Sequence, residues 1–295
     1  MNTAEELSVW LNIPVDELWE YAASADDNYK PHRFKMKPSG GKRRIDPPRP
    51  TLKSIQRSVL KLIAPRITSP IAYSVKGRSH IDAARKHVRQ HFVGTLDICD
   101  FYSSVRISLV RRSLQTAGFG GDALKLLVAL LTRNGRLRQG PPSSPAIANL
   151  ALAEIDRQIY EEMHRLCVDV TRVVDDYTIS GRNRPAVHEM QQFIEARIRS
   201  LGLQINPDKT AIMGRHEPQI IHGYTVNSRV SIPKNKKSAG KRLSKKGLRD
   251  TVRRVCRYGC SNKQRKRLLN QIDHVEHTDP RVAQRLRDAL LEGAQ

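Results

Sequence analysis

A carboxylate set inside a run of apolar strand residues narrows what this chain can become more than any other feature, and it occurs in two places. One is Thr95-Leu96-Asp97-Ile98; the other is Val173-Val174-Asp175-Asp176-Tyr177-Thr178-Ile179. An acid flanked by β-branched and large apolar residues is half-buried, and a buried charge is costly unless it is paired. Three such groups drawn together would repel unless a cation lay between them. Hard divalent ions favour oxygen ligands, and two of them about 3.5–4 Å apart can hold both the attacking and the leaving oxygen in phosphoryl transfer. An Asp-Asp pair is also ordinary turn chemistry. Taken alone, the pair does not choose between these readings.

Charge points to the partner. The 295 residues carry 52 Lys+Arg against 29 Asp+Glu, a formal charge of +23 with a pI near 10.3. A polyanion comes first as partner, an anionic membrane second and an acidic small substrate third. The longest apolar stretch, Leu126 to Leu131, is far too short to span a bilayer, so no membrane is expected. The opening Met-Asn-Thr-Ala-Glu-Glu has neither the basic nor the apolar region of a secretory signal. Cys99, Cys167, Cys256 and Cys260 form no disulfide framework and suit a reducing compartment. The expectation is a cytoplasmic, nucleic-acid-bound protein.

Periodicity supplies the elements between these motifs. Residues 4–22 read as helical around Pro14, and Phe34 and Met36 begin a hairpin that turns at Ser39-Gly40-Gly41 and returns through Arg43 and Ile45. Thr51 is placed to cap a helix carrying Leu52, Ile55, Val59, Leu62 and Ile63. A strand over 92–98 precedes apolar helices near 109–114 and 124–131. The loop Gln139-Gly140-Pro141-Pro142-Ser143-Ser144-Pro145 then interrupts any helix. Its glycine suits close backbone approach to a ligand, and equally an ordinary loop with Ser143 or Ser144 as an N-cap. After it, Ala148, Leu152, Ile155, Ile159 and Met163 keep helical spacing, as do Val187, Met190, Ile194 and Ile198 up to Gly202.

In order, Lys37…Gly40-Gly41-Lys42-Arg43, Leu96-Asp97-Ile98-Cys99-Asp100-Phe101-Tyr102, Gln139-Gly140-Pro-Pro-Ser-Ser-Pro, Val173-Val174-Asp175-Asp176 and Gly202-Leu203-Gln204-Ile205-Asn206-Pro207-Asp208-Lys209 resemble successive reverse transcriptase motifs. Within that class the chain is most similar to the compact bacterial retron enzymes. Leu52-Lys53-Ser54-Ile55-Gln56-Arg57 matches one of their helices, Ala83-Ala84-Arg85-Lys86-His87 stands where they carry Asn-Ala-x-x-His, and Ile221-His222-Gly223 stands where they carry Val-Thr-Gly. Val173 occupies the place of the customary Tyr. A non-retron defence-associated or group II intron-related reverse transcriptase, and a catalytically silent RNA-binding scaffold, are the other readings.

The resemblance implies an α+β right-hand polymerase. Its N-terminal helices and fingers would span 1–94. A palm with a small antiparallel sheet packed on helices would span 95–228, with fingers helices inserted at about 106–138. A basic helical thumb would follow over 229–295. It implies that Asp97, Asp175 and Asp176, with the Ile98 backbone, ligate two Mg²⁺ ions, Mn²⁺ being a possible substitute, and that Lys209 protonates the leaving pyrophosphate. Lys37 and Arg43 would grip the triphosphate. Asp100, Phe101 and Tyr102 would line the dNTP site, Tyr102 against a ribose 2′-OH, while Gln139 and Gly140 would contact nucleotide and template. His87 would touch RNA. The implied activity is copying of a structured non-coding RNA into single-stranded DNA, primed from an RNA 2′-OH, in bacterial antiphage defence with an effector protein.

From Lys234 to Arg267 the composition turns basic, with Asp250 as the single acid. Lys236, Lys237, Lys241, Arg242, Lys245, Lys246, Arg249, Arg253 and Arg254 are the expected phosphate contacts, since so unbalanced a run would repel itself without a polyanion. Cys256-x-x-x-Cys260 with His274 and His277 falls one residue short of zinc-finger spacing at the histidines.

Overall fold

The computed structural model describes residues 1–36, 41–232, 245–258 and 261–292, and only the backbone of Lys245, Lys246, Arg257, Tyr258, Lys263 and Glu292. Lys37, Gly40, Lys236, Lys237, Lys241, Arg242 and Cys260 lie outside the described residues.

Helices α1 (Ala4–Leu11) and α2 (Val15–Ala23) replace the single N-terminal stretch, split at Asn12 in the left-handed conformation and at Pro14. The fingers hairpin pairs β1 (Arg33–Met36) with β2 (Lys42–Ile45), Lys35 opposite Arg43. Helix α3 (Pro50–Ile63) starts one residue before the expected cap: Arg49 is the N-cap and Pro50 takes the first turn, where its missing N–H costs nothing. Next come α4 (His80–Lys86), β3 (Phe92–Asp97), the one-turn α5 (Phe101–Ser104), α6 (Ile107–Thr116), α7 (Gly121–Leu131) and the long α8 (Ser144–Arg165). Strands β4 (Asp169–Val173) and β5 (Asp176–Gly181), helix α9 (Arg184–Ser200) and β6 (Ala211–Gly214) complete the central layer.

That layer is a four-stranded antiparallel sheet in the order β4-β5-β3-β6. Helix α9 lies across it so closely that a Cβ on Gly94 would come within 3.0 Å of Val187 and 3.1 Å of Gln191. The buried positions of α3, α6, α7 and α8 fill one core with Leu96 and Ile179 of the sheet and Ile98 just past the end of β3. Burial of this continuous apolar set is what holds the mixed helix-and-sheet body together.

A second core is built by residues far apart in sequence. It joins α4 (Ile81, Ala84), the short hairpin of β7 (Ile220–Ile221) and β8 (Tyr224–Thr225), and the helices α10 (Lys245–Tyr258), α11 (Asn262–Glu276) and α12 (Pro280–Glu292). The expected apolar stripe of α10 is there, with Leu248 and Val252 buried. The boundary drawn after residue 94 falls inside β3, and α4 packs with the C-terminal helices rather than with the fingers. Among the described residues no helix is long and apolar enough to cross a membrane.

Candidate active site

Hairpin register does the assembling. Val173 pairs with Asp176 across β4 and β5, leaving Val174 and Asp175 as a two-residue turn. Asp176 also pairs with Asp97 at the end of β3, so acids about 80 positions apart in sequence face one another. Ile98 N–H donates to the Asp175 carbonyl at 3.3 Å, tying the turn to the end of β3. Val174 adopts φ +63°, a conformation that crowds a β-branched side chain.

The electrostatics are those of crowded acids. Burial pushes the Asp175 carboxyl up to about 6, and Asp176 and Asp97 add to the shift. Asp97 is 6% exposed; burial raises its pKa, the contact with Lys209 opposes this, and Asp176 reinforces it. Lys209 ends the 3-10 turn Pro207–Lys209 and sets its Nζ 2.6 Å from Asp97 Oδ2. Partial burial works against its charge, but the carboxylates hold its pKa above the ordinary lysine value.

Among the described residues no three Asp, Glu, His or Cys side chains close, as they stand, into a cluster able to hold a metal ion. The expected ligand set is therefore brought together by register but not closed, with Asp97 turned to the Lys209 ammonium. The donors nevertheless fit divalent ions. They are hard oxygens; in Asp97 and Asp175 burial first, and the neighbouring acids after it, raise the pKa, and a single lysine at Asp97 offsets only part of that cost.

Around this centre the fingers and palm residues separate into two groups. Tyr102 is half-buried beside the acids and Arg43. Its hydroxyl is pushed up to about 12, by burial first and by Asp175 second, with Arg43 acting in the opposite sense. Asp100 is exposed and begins α5 in the left-handed conformation. Phe101, expected to line the nucleotide site, is instead core: its ring is 2% exposed and packs on Tyr102 at 5.7 Å between centroids. Gln139 accepts the Asp46 N–H at 2.8 Å through its carbonyl. The close approach that Gly140 permits is to the chain itself, for at φ +134° a Cβ there would lie 2.5 Å from the Asp46 carbonyl. Asp46 is clamped in turn by Arg44 at 3.0 Å and Arg133 at 3.2 Å, so the 139–145 loop is docked beneath the fingers hairpin.

His87 does not fit its expected role of touching RNA. It is fully buried behind the sheet, Nδ1 2.7 Å from Ser180 Oγ and Nε2 2.8 Å from Thr171 Oγ1. Burial, with His222 and Lys86 nearby, drives its pKa down to about 3, so it is a neutral structural imidazole. On α10, Arg249, Arg253 and Arg254 are exposed. Of the zinc-spaced set, Cys260 lies outside the described residues; among the described ones no metal cluster forms, Cys256 donating to the Ala289 carbonyl at 3.0 Å and His274 sitting by the Tyr224 hydroxyl and His80.

Sequence reasoning missed two contributors. His222, at the left-handed tip of the β7–β8 hairpin, brings Nδ1 to 3.7 Å from Asp176 Oδ2. The available signal was its place before Gly223, as both residues of such a tight turn need positive φ. The other is Arg172, wholly buried beneath the Asp175 turn against Asp156. No local signal marked it, since an arginine in a short strand reads as an exposed charge.

Comparison with known proteins agrees with this geometry. The family described as "Reverse transcriptase (RNA-dependent DNA polymerase)" matches residues 35–238. The chain is 27% identical to the retron Mx65 reverse transcriptase of Myxococcus xanthus, over 96% of this chain and 70% of that protein. It is 28% identical to the retron Ec86 reverse transcriptase of Escherichia coli, over 77% of this chain and 72% of that one. Its fold is similar to that of apo telomerase from Candida tropicalis, with a TM-score of 0.55 at 10% identity, covering 97% of this chain and 66% of the telomerase.

Proposed function

We propose that this chain, which belongs to the reverse transcriptase (RNA-dependent DNA polymerase) family and is an RNA-directed DNA polymerase of retron type, copies a dedicated structured RNA from a 2′-OH primer. The observation that carries the site assignment is the strand register that sets Asp97 against Asp176 with Asp175 at the adjoining turn. Two Mg²⁺ ions, or Mn²⁺ in their place, fit these three carboxylates and the Ile98 backbone. When bound they orient the primer hydroxyl and offset charge on the leaving pyrophosphate.

The chain's own residues supply the rest. Lys209, whose Nζ lies 2.6 Å from Asp97 Oδ2, would give a proton to the leaving oxygen. Arg43 on β2 would grip the triphosphate, as would Lys37, which precedes it in the sequence. Tyr102, within the electrostatic reach of Asp175 and Arg43, would set its ring against a ribose 2′-OH. Arg249, Arg253 and Arg254 hold the duplex by its phosphates. The RNA–DNA product would act in antiphage defence with an effector protein.

The test is Asp175→Asn combined with Asp176→Asn. Incorporation of dNTPs on an RNA template should fall by about 10³-fold or more while RNA binding persists. Undiminished synthesis would remove these acids from the chemistry.

A further inference from the structure

Among the described residues the bulkiest fully buried side chain is a charged one, Arg172 on β4. Its Nε donates to both Asp156 oxygens, at 2.9 and 3.2 Å, and the Tyr177 hydroxyl donates to the same carboxylate at 3.2 Å. Its Nη1 donates to Asn149 Oδ1 at 2.9 Å and to the Val174 carbonyl at 2.7 Å. From the other side Ser74 Oγ accepts the Val174 N–H at 3.2 Å and donates to Asn149 Oδ1 at 3.3 Å. The segment bearing Ser74 is itself laid along β4, Tyr73 N–H donating to the Arg172 carbonyl at 2.7 Å. One connected network thus takes up both backbone polar groups of the residue held at φ +63°.

A buried ion pair is poor evidence for stability, because apolar residues of equal volume often do as well. Its value here lies in geometry. Left to itself, a valine avoids the left-handed region. If Val174 relaxed to an ordinary conformation, the turn would no longer present Asp175 and Asp176 to Asp97.

We propose that Arg172 is a positioning residue that locks the Val174 turn from below, with Ser74 locking it from the side. Through Asn149 and Asp156 the turn is tied to α8, the helix that starts at the 139–145 loop. This rests on reading Asp97, Asp175 and Asp176 as the ion-holding acids.

The experiment follows Arg172→Lys and Ser74→Ala in the full chain bound to its template RNA. Mn²⁺ affinity is read by electron paramagnetic resonance, alongside kcat and KM for dNTP. Arg172→Lys should weaken Mn²⁺ binding by about fivefold or more and lower kcat by roughly 10–100-fold, with KM and RNA affinity within about threefold. Val174→Gly placed in the Arg172→Lys background should restore part of both losses, because glycine takes positive φ without strain. Ser74 is half-buried, so Ser74→Ala keeps the test open if Arg172→Lys does not fold; it should weaken Mn²⁺ binding by about two- to threefold. Unchanged Mn²⁺ affinity in these variants, with only a lower Tm, would overturn the proposal. The Asp175→Asn, Asp176→Asn protein separates the two failures: if it too binds Mn²⁺ normally, the ion-site premise has failed, not the positioning step alone.

Discussion

The Val174–Asp175 turn and the outer face of α10 both concentrate charge, and they handle it in opposite ways. At the turn, Asp97, Arg172 and Asp156 are taken out of water, Asp175 is half-buried, and hydrogen bonds of stated geometry fix the arrangement. On α10, Leu248 and Val252 face the second core while Arg249, Arg253 and Arg254 stay exposed. Buried groups that share partners are coupled, so removing one alters what the others do. Exposed charges that meet a polyanion contribute nearly independent increments. The palm should therefore fail abruptly and the thumb by degrees.

The largest effect bearing on that contrast belongs to the thumb. Converting Arg249, Arg253 and Arg254 together to Gln should leave the fold intact and cut RNA–DNA affinity by about 100-fold at low salt. The salt dependence should flatten by about two to three units, one increment per substitution. Filter binding of the single, double and triple variants across a salt series checks it. A slope that does not move would place α10 off the duplex, and a collapse at the first substitution would erase the contrast with the palm.

Next in size is Tyr102→Ala. Removing the ring opens space beside Asp175 and Arg43, and discrimination against rNTPs should fall by about tenfold in kcat/KM. Competition between dNTP and rNTP incorporation measures this directly. Unchanged sugar selectivity would mean that the ring only packs on Phe101.

The contrast also explains what was legible beforehand. Helices and strands whose apolar residues kept a period were readable, because burial of one face drives both folding and pattern. The acids were readable because a carboxylate ending an apolar strand has few comfortable environments. Arg172 and His87 were not, since each is satisfied by partners far away in sequence: Asp156 and Asn149 on α8, and Thr171 and Ser180 on the sheet. A polar neighbourhood such as Arg85-Lys86-His87 reads as a solvated face until the helix C-cap turns one member inward. Phe101 misled for the converse reason, as a motif position need not be exposed to a ligand: its ring is buried in the core.

The smallest effect concerns the cost of assembling the acids. Asp175 has a pKa near 6 in the folded chain, against about 3.9 for a free aspartate. A carboxyl raised on folding binds its proton more tightly in the native state. Its contribution thus favours folding at low pH, fades as pH rises from about 4 to 6, and is fully lost above that window. In metal-free buffer at pH 7.5, Asp175→Asn should therefore raise Tm by about 2–4 °C, and at pH 5 by less. Adding Mg²⁺ should stabilise the parent protein at pH 7.5 more than at pH 5, because only the ionised acids gain from the ion. Calorimetric scans of both proteins at the two pH values, with and without Mg²⁺, decide the matter. If Asp175→Asn lowers Tm at pH 7.5, the turn is not straining under its own charge, and the coupling that sets it apart from α10 is lost.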